Sequence, residues 1–165
     1  MKTVILLLTL VSLSFGNFLQ ELHTDNVEGK FKQTKYIKNF ENNITTSGKF
    51  SIHNGVFEQN TTKPIMLAIK VDKSGVYEYN DGKYKLISSY FDKELFLDIL
   101  DVNLQNLKDK FDYIINGDIS SWNVELKPKG VLSKIFHSIN ISGDSRVRQL
   151  ILNEINGDVT RYDFE

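Results

Sequence analysis

The chain of 165 residues contains no cysteine, and neither sign of charge dominates its composition. The absence of cysteine excludes disulfide bonds, a thiol nucleophile and a lipid-modified cysteine. Its 20 lysines and arginines are balanced by 21 aspartates and glutamates. Because the net charge is near zero, no overall electrostatic field would attract nucleic acid or an anionic membrane. Because the chain has no disulfide bonds, its hydrophobic core alone must stabilise the fold.

The sequence also lacks an apolar run long enough to cross a bilayer, which takes about 20 residues. Its longest apolar run follows Met1-Lys2 and ends at Ser14-Phe15-Gly16, whose small residues suit signal peptidase. We therefore predict that residues 1–16 are a cleaved signal peptide, with an uncleaved anchor as the alternative. Residues 17–165 are then expected to form one soluble, monomeric domain outside the cytoplasm.

Residue types that carry catalysis are present, but they form no known catalytic pattern. His23, His53 and His137 are far apart and lack a Glu-x-x-His partner, so no zinc site is predicted. The sequence has no Gly-x-Ser-x-Gly motif and no glycine-rich phosphate loop before a helix. Asp98 and Asp101 lie close together, as carboxylates of a solvated helix face do. We expect a binding protein without metal or cofactor rather than an enzyme.

Turn dipeptides divide the chain into short segments and are typical of tight hairpins, because they supply positive φ. Apolar and polar residues alternate most clearly in residues 65–71 and 122–127, and residues 159–164 are the predicted closing strand. These patterns predict about ten antiparallel strands joined in hairpin order. The dipeptides are Asn54-Gly55, Ser74-Gly75, Asp81-Gly82, Asn116-Gly117, Ser142-Gly143 and Asn156-Gly157.

Apolar residues recur at helical spacing in three places, which predicts short amphipathic helices. The first place is near the N-terminus, at Phe18, Leu19 and Leu22. The second follows Asp92, a candidate N-cap, and the third follows Gly130. The apolar positions of the second are Leu95, Phe96, Ile99, Leu100, Leu104, Leu107 and Phe111, and those of the third are Val131, Leu132, Ile135 and Phe136.

About ten twisted strands tend to curl, and an open sheet edge invites aggregation. We therefore predict a mainly β, α+β fold: an incomplete antiparallel β-barrel with a helical lid over a hydrophobic cavity. The alternative is a closed α+β domain in which the same side chains are ordinary core. The predicted cavity residues are Phe50, Ile52, Phe57, Leu67, Ile69, Trp122, Val124 and Leu126, and the predicted lid residues are Leu95, Phe96, Ile99, Leu100, Ile135 and Phe136.

Four lysines, Lys30, Lys32, Lys35 and Lys38, form a local concentration of positive charge in the N-terminal half. Lysines along a strand usually belong to a solvated face, and this is the first interpretation. The second interpretation is a docking patch for an acidic partner. The near-neutral chain as a whole is compatible with both interpretations.

Several short motifs follow one another in an informative order, and together they extend over nearly all of the chain after residue 16. They are Gly-x-Phe-x-Gln-x-Lys at residues 29–35, Ser-Gly-x-Phe at residues 47–50, Gly55 with Phe57, Pro64, and the segments 122–129, 139–141 and 156–164. Their order and spacing resemble the LolA-type family of outer-membrane lipoprotein carriers, and more closely its LolA-like branch.

The resemblance implies a periplasmic chaperone with an unclosed antiparallel barrel, a helical lid and a cavity for the acyl chains of a lipoprotein. Members of the family take cargo from an inner-membrane ABC-type release complex and deliver it to an outer-membrane receptor. Some members of the LolA-like branch are associated with other lipid or polyene cargo. For this chain, the resemblance implies a carrier that shields acyl chains between the two membranes.

One family feature differs in this sequence. The lipoprotein carriers have a lid-latching arginine shortly before a strand tryptophan, whereas this chain has no arginine before Arg146, and Phe57 or Glu58 stands in place of the tryptophan. His53 is a candidate polar contact to the lid in place of the arginine. The sequence also leaves a second function open, a periplasmic lipid-sensing or regulatory module that binds lipid without transporting it.

Overall fold

The computed structural model describes Leu19, residues 26–88 and residues 92–165. The predicted signal peptide lies outside these residues, as does most of the predicted N-terminal helix. The described residues form eleven strands and two α-helices. The strands, β1 to β11 in chain order, are Val27–Ile37, Asn42–His53, Val56–Lys63, Leu67–Asp72, Gly75–Asn80, Lys83–Ser88, Phe111–Asp118, Ser121–Pro128, Phe136–Gly143, Val147–Glu154 and Val159–Phe164, and the helices are α1, Lys93–Leu100, and α2, Leu104–Leu107.

All eleven strands belong to one antiparallel sheet in the order β6-β5-β4-β3-β2-β1-β11-β10-β9-β8-β7. Strands that follow each other in the chain are paired, except β6 and β7, and the pairing of β1 with β11 joins the two halves. Because β6 and β7 are both edges, the sheet of the described residues is not closed into a barrel. This confirms the predicted fold class, with eleven strands in place of about ten.

The two faces of the sheet differ because successive side chains of a strand point to opposite faces. On β1, Phe31 is buried whereas Lys30 and Lys32 are exposed. On β8, Trp122 and Val124 are buried, as the alternation in the sequence predicted. The face that carries Phe31 and Val124 is called the inner face below, because it contains the core.

The core is densest where α1 and α2 meet strands β7 to β10. Four side chains of α1 join one hydrophobic cluster with side chains from these strands. Complete burial of each such side chain stabilises the fold by about 1.5–3 kcal/mol. The side chains with almost no exposed surface are Leu107, Phe111, Val124, Leu126, Ile139 and Ile141.

Helix α1 begins where the sequence predicted it. The Asp92 carboxylate accepts a hydrogen bond of 2.9 Å from the backbone N–H of Leu95 and forms an ion pair of 2.9 Å with Lys110. The helix ends at Leu100, and Val102 has a φ of +49°, a conformation that continues no helix. Phe111 does not extend the helical segment, because it begins β7 and pairs with Pro128 of β8.

The third predicted helix is replaced by a short turn and a strand. Residues Leu132–Lys134 form a single 3-10 turn, and Phe136 begins β9, where it pairs with Glu154 of β10. Val131 is exposed before this turn, and Ile135 is exposed after it. Phe136 pairs with β10, and the Ile135 carbonyl accepts a hydrogen bond of 2.9 Å from the Ile155 N–H, so tertiary context overrides the helical spacing.

Two of the predicted turn dipeptides fall inside strands. Asn54-Gly55 and Asp81-Gly82 form hairpin turns in which both residues have positive φ, as two-residue loops require. By contrast, Gly117 lies within β7 and Gly143 ends β9, so the chain reverses a few residues later in both cases.

Among the described helices, none has the length and apolarity needed to span a membrane.

Candidate functional site

An open apolar cavity of about 300 Å³ lies on the inner face between α1 and strands β3 to β5. The register of the sheet builds its wall, because Phe57 pairs with Val71 and Val71 pairs with Val76. Gln59 lies two residues after Phe57 on β3 and pairs with Ile69, which lies two residues before Val71 on β4. Both side chains are on the same face as Phe57 and Val71. The lining residues are Phe57, Gln59, Ile69, Val71, Val76, Phe96 and Tyr162.

Phe96 connects the helix to this cavity. Its ring contacts Phe57 edge to face, with 5.3 Å between the ring centroids and an angle of 76° between the planes. The neighbouring Leu95 and Leu97 are buried, whereas Phe96 is only half-buried. Phe96 therefore covers part of the cavity without being locked into the core.

Farther along the helix, α1 fills the inner face almost completely. Leu100 lies over Phe50 and Ile52, and a cavity of only about 20 Å³ remains among these side chains. A space of this size holds about one water molecule. Phe50 also contacts Phe164 of β11 edge to face, with 4.9 Å between the ring centroids. The helix thus occupies the space that an apolar ligand would need over these strands.

The inner face becomes polar on the side of the cavity that is away from α1. Tyr162 lines the cavity and pairs with Gln33, whose Oε1 accepts a hydrogen bond of 3.1 Å from the Thr46 hydroxyl. Two residues farther along β1, Lys35 Nζ lies 3.3 Å from Glu154 Oε1. Burial raises the pKa of Tyr162 to about 12.

Comparison with protein-family models and with curated proteins finds no match. Among solved structures, a LolA superfamily protein from Nitrosomonas europaea matches 93% of this chain and 92% of its own, with 10% identity and a TM-score of 0.49. The chain thus resembles a LolA superfamily protein along most of its length.

Two further solved structures match. Lipoprotein LppX from Mycobacterium tuberculosis covers 90% of this chain and 93% of its own, with 6% identity and a TM-score of 0.44. A DUF1329 family protein from Desulfovibrio piger covers 88% and 86%, with 13% identity and a TM-score of 0.33.

The sheet distributes the predicted cavity residues over three environments. Phe57 and Ile69 line the open cavity. Phe50 and Ile52 lie beneath Leu100 of α1. The remaining four lie elsewhere: Trp122, Val124 and Leu126 are buried in the core, and Leu67 is 40% exposed at the start of β4.

The predicted lid residues are also divided. Leu95, Phe96, Ile99 and Leu100 all lie on α1 and join the core or pack against it. Ile135 and Phe136 lie on neither helix, since Ile135 follows the 3-10 turn and Phe136 begins β9. In the described residues, the helices over the inner face are therefore α1 and α2.

Four residues that line the cavity were not predicted: Gln59, Val71, Val76 and Tyr162. The sequence indicated a hairpin between Val71 and Val76, but the turn lies at Lys73-Ser74, one residue before the predicted dipeptide Ser74-Gly75. Pairing across that turn places them side by side. Tyr162 comes from β11, far away in sequence, and no local pattern could have placed it beside Phe57.

Other candidate residues lie away from the cavity. His53 Nδ1 is 3.2 Å from Asn26 Oδ1, at the start of β1, so this contact does not connect it to the lid. Lys30 and Lys32 are exposed on the outer face, whereas Lys35 lies on the inner face with Glu154, so the lysines do not form one patch. Within the described residues, no group of three or more His, Asp or Glu side chains could hold a metal ion.

Proposed function

We propose that the protein is a carrier that shields the acyl chains of a lipid or lipoprotein while they cross the aqueous space between two membranes. The observation that supports this proposal is the open cavity of about 300 Å³ lined by Phe57, Ile69, Val71 and Val76. Transfer of an acyl chain from water to such a wall is favourable by about 0.8 kcal/mol per methylene. The edges of the unclosed sheet leave a path by which a chain can enter from the side.

A carrier must also release its cargo, and α1 supplies a physical means. The helix occupies the inner face over Phe50 and Ile52, and Phe96 contacts Phe57 at the cavity. A longer acyl chain has to displace these contacts, so part of the favourable burial energy is offset when cargo binds. We propose that this competition keeps the affinity low enough for handover.

The proposed setting is the periplasm, with an inner-membrane ABC-type release complex as the donor and an outer-membrane receptor as the acceptor. The predicted signal peptide at residues 1–16 and the order of the LolA-type motifs support this setting. The proposal involves binding and transfer without a chemical reaction. The cargo is a lipoprotein or another acylated lipid.

The proposal can be tested by measuring the transfer of a fluorescent acyl lipid between donor and acceptor vesicles. We expect the purified protein to bind the lipid and to accelerate transfer. Mass spectrometry of the protein isolated from its native compartment should also detect a co-purifying lipid. Binding without faster transfer would favour a lipid-sensing module, and the absence of binding would refute both functions.

A pair of variants on β4 makes this test specific to the cavity. Ile69→Glu places a charge in the cavity wall and should abolish binding, because an unpaired charge is very unfavourable in an apolar site. Ala68→Glu makes the same kind of change on the opposite face of the strand and should leave binding intact. Equal effects of the two variants would contradict the proposed site.

A further inference from the structure

We infer that the cargo is an electrically neutral amphiphile bound in one orientation, with its acyl chain in the apolar cavity and its hydrogen-bonding head group on the adjoining polar surface. That surface, called the polar shelf below, consists of Gln33, Thr46, Lys35 and Glu154 on the inner face. The inference rests on the proposed function and adds the head-group chemistry and the orientation of the ligand.

The polar shelf is continuous with the cavity. Tyr162 lines the cavity, and its pairing partner on β1 is Gln33. Gln33 in turn pairs with Thr46 on β2, so the three side chains form one row across three neighbouring strands. Gln59, which also lines the cavity, donates a hydrogen bond of 3.3 Å to the Thr61 hydroxyl. A ligand that fills the cavity therefore reaches amide and hydroxyl groups at one end of it.

These groups can form more hydrogen bonds than their contacts with each other use. The Thr46 hydroxyl donates to Gln33 Oε1, while an amide also carries two N–H donors and a hydroxyl also accepts. The Tyr162 phenol is protonated at neutral pH and can donate a hydrogen bond. Gln33 and Thr46 are both half-buried, so a head group seated on them is partly removed from water. Hydroxyl and ester carbonyl groups match these donors and acceptors.

The charges on the polar shelf favour a neutral head group. Lys35 and Glu154 lie 3.3 Å apart and together contribute no net charge. A carboxylate or phosphate that approached Lys35 would also meet the Glu154 carboxylate, and a cationic head group would meet Lys35. The exposed Lys30 and Lys32 are on the outer face and do not face this region. The uncharged head group of a glycerol ester can form hydrogen bonds with the polar shelf and is repelled by neither Lys35 nor Glu154.

The inference is tested by comparing three ligands with the same chain length: monolauroylglycerol, laurate and dodecane. Their affinities for the full protein are measured by displacement of an apolar fluorescent dye. We expect monolauroylglycerol to bind at least about threefold more tightly than laurate or dodecane, since one or two neutral hydrogen bonds give about twofold to tenfold each. Tighter binding of laurate would overturn the neutral head group.

Two neighbouring threonines on β2 provide a matched pair of variants. Thr46→Val removes the hydroxyl on the polar shelf, and Thr45→Val makes the same change on the outer face. We expect Thr46→Val to weaken binding of monolauroylglycerol about twofold to tenfold and to leave dodecane binding unchanged. Thr45→Val should change neither affinity.

The outcomes separate this inference from the proposed function. If dodecane binds and Thr46→Val affects both ligands equally or neither, the cavity binds acyl chains but the polar shelf does not bind the head group. If none of the three ligands binds, the carrier function fails and the inference fails with it. A Gln33→Leu variant repeats the test at a second shelf residue, so that a folding defect of one variant does not decide the result.

Discussion

At the scale of single residues, side chains on one face of the sheet have very different surroundings. Val124 has no exposed surface, whereas Leu67 is 40% exposed, although the sequence pattern assigned both to the same wall. Phe57 is only 4% exposed, because it is buried by Phe96 from α1 as well as by its strand neighbours. The open cavity therefore lies at the boundary of the helix, where Phe57 meets Phe96.

Phe96 is the residue most directly placed to regulate access to the cavity. We expect Phe96→Ala to tighten binding of an acyl ligand about twofold to tenfold, because the aromatic contact with Phe57, worth about 0.5–1.5 kcal/mol, no longer has to be broken. Dye displacement measures the dissociation constant. Phe40→Ala is the control, since Phe40 is 78% exposed in the turn after β1. An unchanged or weaker affinity for the Phe96 variant would show that the ring does not compete with cargo.

Asp72 gives a pH-dependent prediction. A hydrogen bond from the Ser74 hydroxyl, with further help from the Ser74 N–H and Lys70, outweighs desolvation and lowers the pKa of Asp72 to about 2. Because an unfolded aspartate has a pKa of about 3.9, this carboxylate stabilises the fold above about pH 4 and loses that effect as the pH falls towards 2.

The Asp72→Asn variant tests this contribution. We expect a lower free energy of unfolding than in the original protein at neutral pH, with the difference shrinking as the pH is lowered below about 4. Denaturant titrations over this pH range provide the measurement. Asp109→Asn, a change of the same kind in an exposed loop, serves as the comparison. A difference that is constant with pH would mean that Asp72 acts through something other than its charge.

At the scale of elements, the position of α1 determines how much of the inner face is open. Its buried side chains join the core, while Phe96 covers part of the open cavity and Leu100 lies over Phe50 and Ile52. Asp92 fixes its start through the Leu95 N–H and the Lys110 ammonium. The wall formed by Ile69, Val71 and Val76 lines the open cavity beside Phe96.

Removal of the N-cap should loosen this lid. We expect Asp92→Ala to destabilise the protein by about 1 kcal/mol through the lost cap and to increase hydrogen exchange of the α1 amides more than that of the strands. Lys110→Ala removes the ion pair but keeps the cap, and it should have a smaller effect because exposed ion pairs contribute about 0–1 kcal/mol. Equal hydrogen exchange of the α1 amides in the two variants would show that the Asp92 cap is not what stabilises the start of α1.

At the scale of the whole molecule, one sheet carries a filled half and an open half. Strands β7 to β10 form the densest core with the helices, whereas large apolar side chains near β4 to β6 remain exposed. Of these, Leu67 lies on the inner face, whereas Tyr79, Tyr84 and Leu86 are exposed on the outer face, on the same side as Lys70. An acyl ligand would add apolar contacts to the open half, which links ligand binding to global stability.

This link predicts a ligand-dependent unfolding temperature. At a free ligand concentration of about 100 times the dissociation constant, binding to the folded state adds about 2.7 kcal/mol. For a chain of this size, we expect a rise in Tm of about 5–10 °C, measured by circular dichroism with monolauroylglycerol. The Ile69→Glu variant should show no such rise. A rise of the same size in that variant would place the ligand outside the cavity.

The sequence predicted those features that depend on neighbouring residues. Alternation located the inner face of β8, the repeated turn dipeptides indicated hairpin order, and the closing strand at residues 159–164 is β11. The start of α1 at Asp92 followed from the spacing of a capping side chain and apolar residues. The same alternation would also have separated Lys30 and Lys32 from Lys35, since residues an odd number apart lie on opposite faces.

The sequence by itself determined the antiparallel strands, their apolar face and the start of the lid helix, because each depends on residues within a few positions of one another. Only the tertiary structure decided that Phe136 is in a strand, that Val124 belongs to the core, and that Phe57 and Tyr162 share a cavity. These outcomes depend on the β1–β11 pairing and on where α1 lies, and both are set by contacts between distant residues. A face of a strand is a local property, but the part of that face left uncovered is a property of the whole fold.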